Sequence, residues 1–173
     1  MSEEAREKLL ENYGIELEGE FDVTLKGKVR FFRKYDIKVP FVERRGIYLG
    51  ELKKDGIRLN VYTSSRLGRL AKKNVIEIDV ETFCRLLRGE RVPYEAEPGY
   101  YILKLGEDYV GSVRCNGREL IPFFPKEFRS MLKKLCEDRF YVIIGLRRKQ
   151  YARYGLAYHA PNRYESHPRV FLV

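Results

Sequence analysis

The residues of this chain that could do chemistry form a thin catalytic set and a dense cationic one. Three cysteines, Cys84, Cys115 and Cys136, stand far apart with no Cys-x-x-Cys pair. That speaks against a disulfide framework and against a cysteine-rich zinc site. A reactive thiol needs an exposed, electropositive setting. Cys84 falls on the apolar side of an expected helix and reads as core. Cys115, before a turn, and Cys136, at a helix end, read as partly buried bystanders. His159 and His167 lie in an irregular segment without an acidic cluster, so no metal site is expected. No P-loop, G-x-G-x-x-G, H-E-x-x-H or G-x-S-x-G is present. The carboxylates spread through amphipathic elements as solvated surface, and Glu127 sits where a helix dipole favours it. No catalytic residue and no cofactor are expected. An enzyme acting on RNA is disfavoured, because no acid–base pair or nucleophile stands out.

The cations carry more information. The chain has 173 residues with 34 Lys+Arg against 25 Asp+Glu, a net charge of +9. Arginines outnumber lysines 20 to 14. Arginine suits bidentate phosphate contacts and stacking on bases. Residues 134–173 hold 8 basic and 3 acidic residues, so the last quarter carries +5 of the +9. Charge alone fits a well-solvated, heat-adapted surface as well as an anion binder. Position sharpens it. Arg66, Arg69, Lys72 and Lys73 lie on or just after one short expected helix. Arg85, Arg88 and Arg91 bracket the end of the next helix and its glycine, Gly89. Arg85 and Arg88 are three apart and share a helical face. Gly89 lets backbone approach a ligand closely. This is a plausible phosphate cradle, set against the alternative of a solvated face. Arg147-Arg148-Lys149 with Tyr151, Arg153 and Tyr154 interleaves cations and aromatics, a pattern for single-stranded RNA or for a solubilising tail.

The elements that must position these groups read as follows. Residues 2–13 form a helix with Ala5, Leu9, Leu10 and Tyr13 on one face, stopped by Gly14. Short strands follow: Phe21, Val23 and Leu25 alternate; Val29, Phe31 and Phe32 come after a Lys26-Gly27-Lys28 turn; Ile37 and Val39 end at Pro40. Residues 46–50 form a glycine-bracketed strand, and Asp55-Gly56 signals a hairpin into Ile57, Leu59 and Val61. Ser64-Ser65 could cap the short helix. Residues 74–78 form a strand. Asp79 caps a helix with Val80, Phe83 and Leu87 on one face, ended by Gly89. Val92-Pro93-Tyr94 is an edge strand. Residues 100–115 form a hairpin, and Asn116-Gly117 turns into 118–121. Pro125 opens a last helix, with Phe128, Met131, Leu132 and Leu135 at helical spacing. This order suggests a small mixed β-barrel. Phe140 to Leu146 reads as one more strand. Residues 147–173 lack periodicity and read as a mobile or induced-fit tail, with Val170–Val173 as a competing final strand.

The stretches Lys72-Lys73-Asn74-Val75-Ile76-Glu77-Ile78, Phe83 to Glu90, Gly99 to Lys104 and Tyr109 to Val113 together resemble a PUA domain. Many members keep a second glycine where Gly111-Ser112-Val113 stands. A wider span, about residues 7–130, is similar to the C-terminal part of the Nop/Sun/Fmu RNA 5-methylcytosine methyltransferases. Tyr13-Gly14-Ile15, Gly46 to Leu52, Ala71 to Glu77 and Ile121 to Arg129 carry that likeness. The order of parts also resembles the Nip-type ribosome-assembly factors, which join an α/β pre-PUA domain to a PUA domain. The methyltransferases' catalytic half and its paired cysteines have no counterpart, since Cys84, Cys115 and Cys136 follow Phe83, Arg114 and Leu135.

The resemblance implies an α+β protein: an N-terminal mixed α/β pre-PUA-like domain at 1–72, a PUA-like small β-barrel at 73–133, and a basic, Tyr/Arg-rich extension at 134–173. It implies a non-catalytic accessory factor binding structured RNA, rRNA or tRNA, in ribosome biogenesis or RNA modification. Arg85, Arg88, Gly89 and Arg91 would hold RNA backbone, and Arg66, Arg69, Lys72 and Lys73 would extend the track. The alternative is an adaptor docking on an RNA methyltransferase or an assembly particle. No apolar run nears the ~20 residues of a membrane helix, and the start is acidic, unlike a secretory or transit peptide. A cytoplasmic protein without membrane contact is expected.

Overall fold

The computed structural model describes residues 2–33 and 46–137. The chain opens with helix α1 (Ser2–Tyr13), which buries Ala5, Leu9 and Tyr13 at four-residue spacing and carries Glu3 and Glu4 in its first turn. Those carboxylates meet the positive end of the helix dipole. Gly14, at φ +65°, ends the helix with its N–H on the Leu10 carbonyl at 2.8 Å. Four antiparallel strands follow in chain order: β1 (Gly19–Val23), β2 (Lys28–Arg33), β3 (Ile47–Lys53) and β4 (Gly56–Leu59). Phe21, Val29, Phe31, Leu49, Ile57 and Leu59 face α1 and complete its core. Tyr13 locks the helix to this sheet by donating its hydroxyl to the Ile57 carbonyl at 2.8 Å.

Helix α2 (Val61–Leu67) and a 3₁₀ turn (Gly68–Leu70) lead into β5 (Val75–Glu77) and helix α3 (Val80–Leu87). The remaining elements are β6 (Val92–Pro93), β7 (Gly99–Leu105), β8 (Asp108–Cys115), β9 (Glu119–Pro122) and α4 (Lys126–Glu137). These strands make a five-stranded sheet ordered β5-β7-β8-β9-β6 that curls into a half-barrel. β5 pairs parallel with β7, and the other pairings are antiparallel. Phe83, Leu86 and Leu87 of α3 pack with Leu103, Val110, Val113, Leu120, Phe124 and Phe128 inside it. Gly111 is required by packing: a Cβ there would lie 2.5 Å from the Phe124 ring.

β7 is buried on both faces. Tyr100 and Ile102 belong to the core under α1, whereas Tyr101, Leu103 and Leu105 belong to the half-barrel core. This is the period-2 alternation of a strand, used to serve two cores at once. Val61 of α2 crosses the other way, into the half-barrel core. At the seam, Arg114 pairs with Asp55 at 2.6 Å and Arg58 lies over the Phe123 ring at 4.6 Å.

Several local expectations need correction. Ser64 and Ser65 do not cap α2; Asn60 does, accepting from the Thr63 N–H at 2.8 Å, and Ser64 lies buried inside the helix. Val61 opens that helix instead of ending a strand. Leu25 is 97% exposed in the β1–β2 turn, because the ladder stops at Val23. Lys126 is the first residue of α4, with the Pro125 carbonyl accepting from the Arg129 N–H. Cys84 and Cys136 form a disulfide, with Cα atoms 5.5 Å apart. Fifty-two residues of sequence separate them, and packing of α4 on α3 closes that gap. Cys115 is fully buried rather than partly, and its sulfur receives the Gly117 N–H. The expected strands at Ile37–Pro40 and 140–146, the tail beyond, and both histidines lie outside the described residues.

Candidate nucleic-acid interface

The first cationic group is built by α3 and the turn after it. Asp79 caps α3 through the Thr82 N–H at 2.7 Å. Its carboxyl is held below the usual range chiefly by hydrogen bonding to Thr82. The helix closes with Arg88 donating to the Cys84 carbonyl, and Gly89 takes φ +84°. That left-handed turn reverses the chain and brings Glu90 back beneath the arginines. Arg88 Nε lies 2.8 Å from one Glu90 oxygen and Arg85 Nε lies 3.0 Å from the other. Hydrogen bonds from Arg88 and then Arg85 hold the Glu90 carboxyl below its ordinary range. Arg91 pairs with Glu119 of β9 at 3.0 Å. A Cβ at Gly89 would lie 3.5 Å from Arg129 Nη1, so α4 sets a further guanidinium beside the glycine. The disulfide holds α4 to α3 through Cys136, near the other end of α4.

The second group stands on the other side of the chain's midpoint. Arg66 lies in α2 and Arg69 in the 3₁₀ turn, both exposed. Lys72 and Lys73 are exposed as well, but their backbone is fixed: both N–H groups point at the Tyr13 carbonyl, at 2.8 and 3.4 Å. Asn74, at φ +57°, donates its side-chain amide to the Asn12 carbonyl. The orphan C-terminal carbonyls of α1 are thus capped by the lysine segment. Gly68 is packed directly on the Tyr109 ring, with no room for a Cβ. None of these four cations makes an ion pair among the described residues. No Asp or Glu stands between Asp55 and Glu77 in the sequence.

The structure ties Arg85 and Arg88 together through Glu90 across the Gly89 turn and pairs Arg91 with Glu119, whereas Arg66, Arg69, Lys72 and Lys73 are exposed along one short stretch of chain. No ion pair joins the two groups among the described residues. Sequence reasoning missed Glu90, Glu119 and Arg129 as parts of the first cluster. The adjacency Arg88-Gly89-Glu90-Arg91 was the available signal for Glu90; Glu119 and Arg129 arrive only through the fold. Among the described residues, no three His, Cys, Asp or Glu side chains gather as metal ligands, and no helix is long and apolar enough to cross a membrane.

Residues 73–130 match the family model described as the methyltransferase RsmF PUA domain. Over this span the chain is similar to that domain, and it resembles the C-terminal region of the Sun/Fmu family. A domain of this kind points to RNA as partner. No curated protein matches the chain.

Proposed function

We propose that the protein is a non-catalytic RNA-binding accessory factor acting on rRNA or tRNA, in ribosome biogenesis or RNA modification. The PUA-domain match over 73–130 carries the reading. In it, residues 1–72 are a pre-PUA-like support, 73–133 the RNA-binding barrel, and 134–173 a basic extension. Arg85, Arg88 and Arg91 meet phosphates at the α3 end, where Gly89 leaves room for the backbone of the ligand. Arg66, Arg69, Lys72 and Lys73 supply the larger unneutralised charge. Affinity then comes mostly from counterion release and falls steeply with salt. The protein works without a bound cofactor, in the cytoplasm.

The test is retention of tRNA and rRNA fragments by the pure protein across a salt series, followed by sequencing of RNA crosslinked to it in native cells. Recovery of defined rRNA or tRNA segments, with binding that weakens as salt rises, is the expected result. Absence of RNA retention at low salt would sink the reading and favour an adaptor that docks on protein.

A further inference from the structure

We infer that Tyr62, with Arg66 and Arg69 beside it, is a stacking platform for an unpaired base of a single RNA strand. The inference rests on the RNA-binding reading and adds a subsite outside the matched residues 73–130.

Tyr62 is the most exposed aromatic side chain among the described residues, at 52%. It is nevertheless fixed in orientation. Its ring meets Phe128 edge to face, with centroids 6.2 Å apart and planes at 87°. Phe128 is itself buried and stacked on Phe124 at 5.7 Å. One side of Tyr62 thus leans on a column of core aromatics while the rest meets solvent. A ring already held in place loses little freedom when a base stacks on it. Arg66 lies four residues on, one helical turn along the same face. Arg69 follows in the 3₁₀ turn. Both are exposed and have no carboxylate partner among the described residues.

An aromatic face with unpaired cations at the next turn matches one nucleotide and the phosphate after it. The charge favours a polyanion over a protein partner, which would have to bring its own acidic patch. A base within a duplex has both faces covered by its neighbours, so the site selects unpaired bases of single-stranded RNA.

The test compares two labelled RNA hairpins whose loops are replaced by a non-nucleotide linker, one blunt and one with a single-stranded flank, by fluorescence anisotropy on the full chain. Tyr62→Ala should weaken binding of the flanked hairpin about tenfold and leave the blunt one unchanged. Tyr62→Leu, which keeps an apolar contact to Phe128 without a flat face, should behave like Tyr62→Ala. Tyr62→Phe should bind like wild type. Melting of each variant shows that the fold survives. Unchanged affinity for the flanked hairpin in Tyr62→Ala and Tyr62→Leu, or equal loss on both hairpins, overturns the platform while the RNA-binding reading stands. Wild-type protein that binds neither hairpin overturns both.

Discussion

The cations at 66–73 and those at 85–91 are alike in type and unlike in surroundings. Around α3, three arginines face two carboxylates, Glu90 and Glu119, in three ion pairs of fixed geometry, with the Arg129 guanidinium set near Gly89. The local net charge is small, and the guanidinium groups are oriented. Along α2 and the segment after it, four cations have no carboxylate partner among the described residues, and only their backbone is anchored. One region offers direction with little charge. The other offers charge with little direction. Phosphate recognition uses both, since positioning and long-range attraction are separable terms.

The largest effect expected from this contrast is on salt dependence. Replacing Arg66, Arg69, Lys72 and Lys73 together by Gln should reduce the slope of log affinity against log salt by about three units, at roughly 0.7–0.9 per phosphate neutralised. Replacing Arg85, Arg88 and Arg91 by Gln should reduce it by about one, because their carboxylates already offset most of their charge. Equal slopes for the two variants would erase the distinction.

The second effect concerns the covalent tie that only the α3 region possesses. Reducing the Cys84–Cys136 bond, or changing both residues to Ser, should lower stability by about 2–4 kcal/mol, given the long loop it closes. Thermal melting with and without reductant measures this. Binding through the α2 segment should persist, so a residual salt-sensitive affinity is expected after reduction.

The third works on the support beneath α2. Asp108, at the β7–β8 turn next to Tyr109, is buried, and burial with the nearby Glu107 raises its carboxyl to about 7. The folded state then holds the proton more tightly than the unfolded chain. The Asp108 contribution to stability should be fully present below about pH 4, be lost as pH rises towards about 7, and stay absent above it. The drop is at most about 4 kcal/mol, from three units at about 1.4 kcal/mol each. Asp108→Asn should flatten the profile, and denaturant midpoints at several pH values check it.

The smallest effect belongs to Glu90→Gln. Releasing Arg85 and Arg88 adds one net positive charge, so RNA affinity at low salt should rise a few-fold with unchanged melting temperature. A fall in affinity in the same assay would mean that Glu90 matters by orienting the arginines.

The α3 region was legible because its signals are local. Asp79 as cap, Gly89 as terminator and Asn116-Gly117 as turn act through neighbouring residues, and all three stand where the pattern put them. The start of α2 was not legible, because Asn60 is chosen as cap by distant structure: its amide also donates to the Tyr48 carbonyl on β3 at 2.8 Å. The disulfide escaped for a related reason. Nothing within the sequence near Cys84 or Cys136 reports that α3 and α4 lie side by side. The functional clusters were legible as cations but not as paired or unpaired, since pairing depends on Glu119 arriving from β9.

The two-faced strand β7 bears on how this molecule can be divided or recombined. Tyr100 and Ile102 are covered by the α1 half and Tyr101 and Leu103 by the half-barrel. A half-barrel cut away from residues 1–72 would present Tyr100 and Ile102 to water as a new adhesive stripe. The same stripe would have to be recoloured with polar residues before this barrel could be fused to another protein. The segment that matches as a unit of sequence is thus not a self-contained unit of packing.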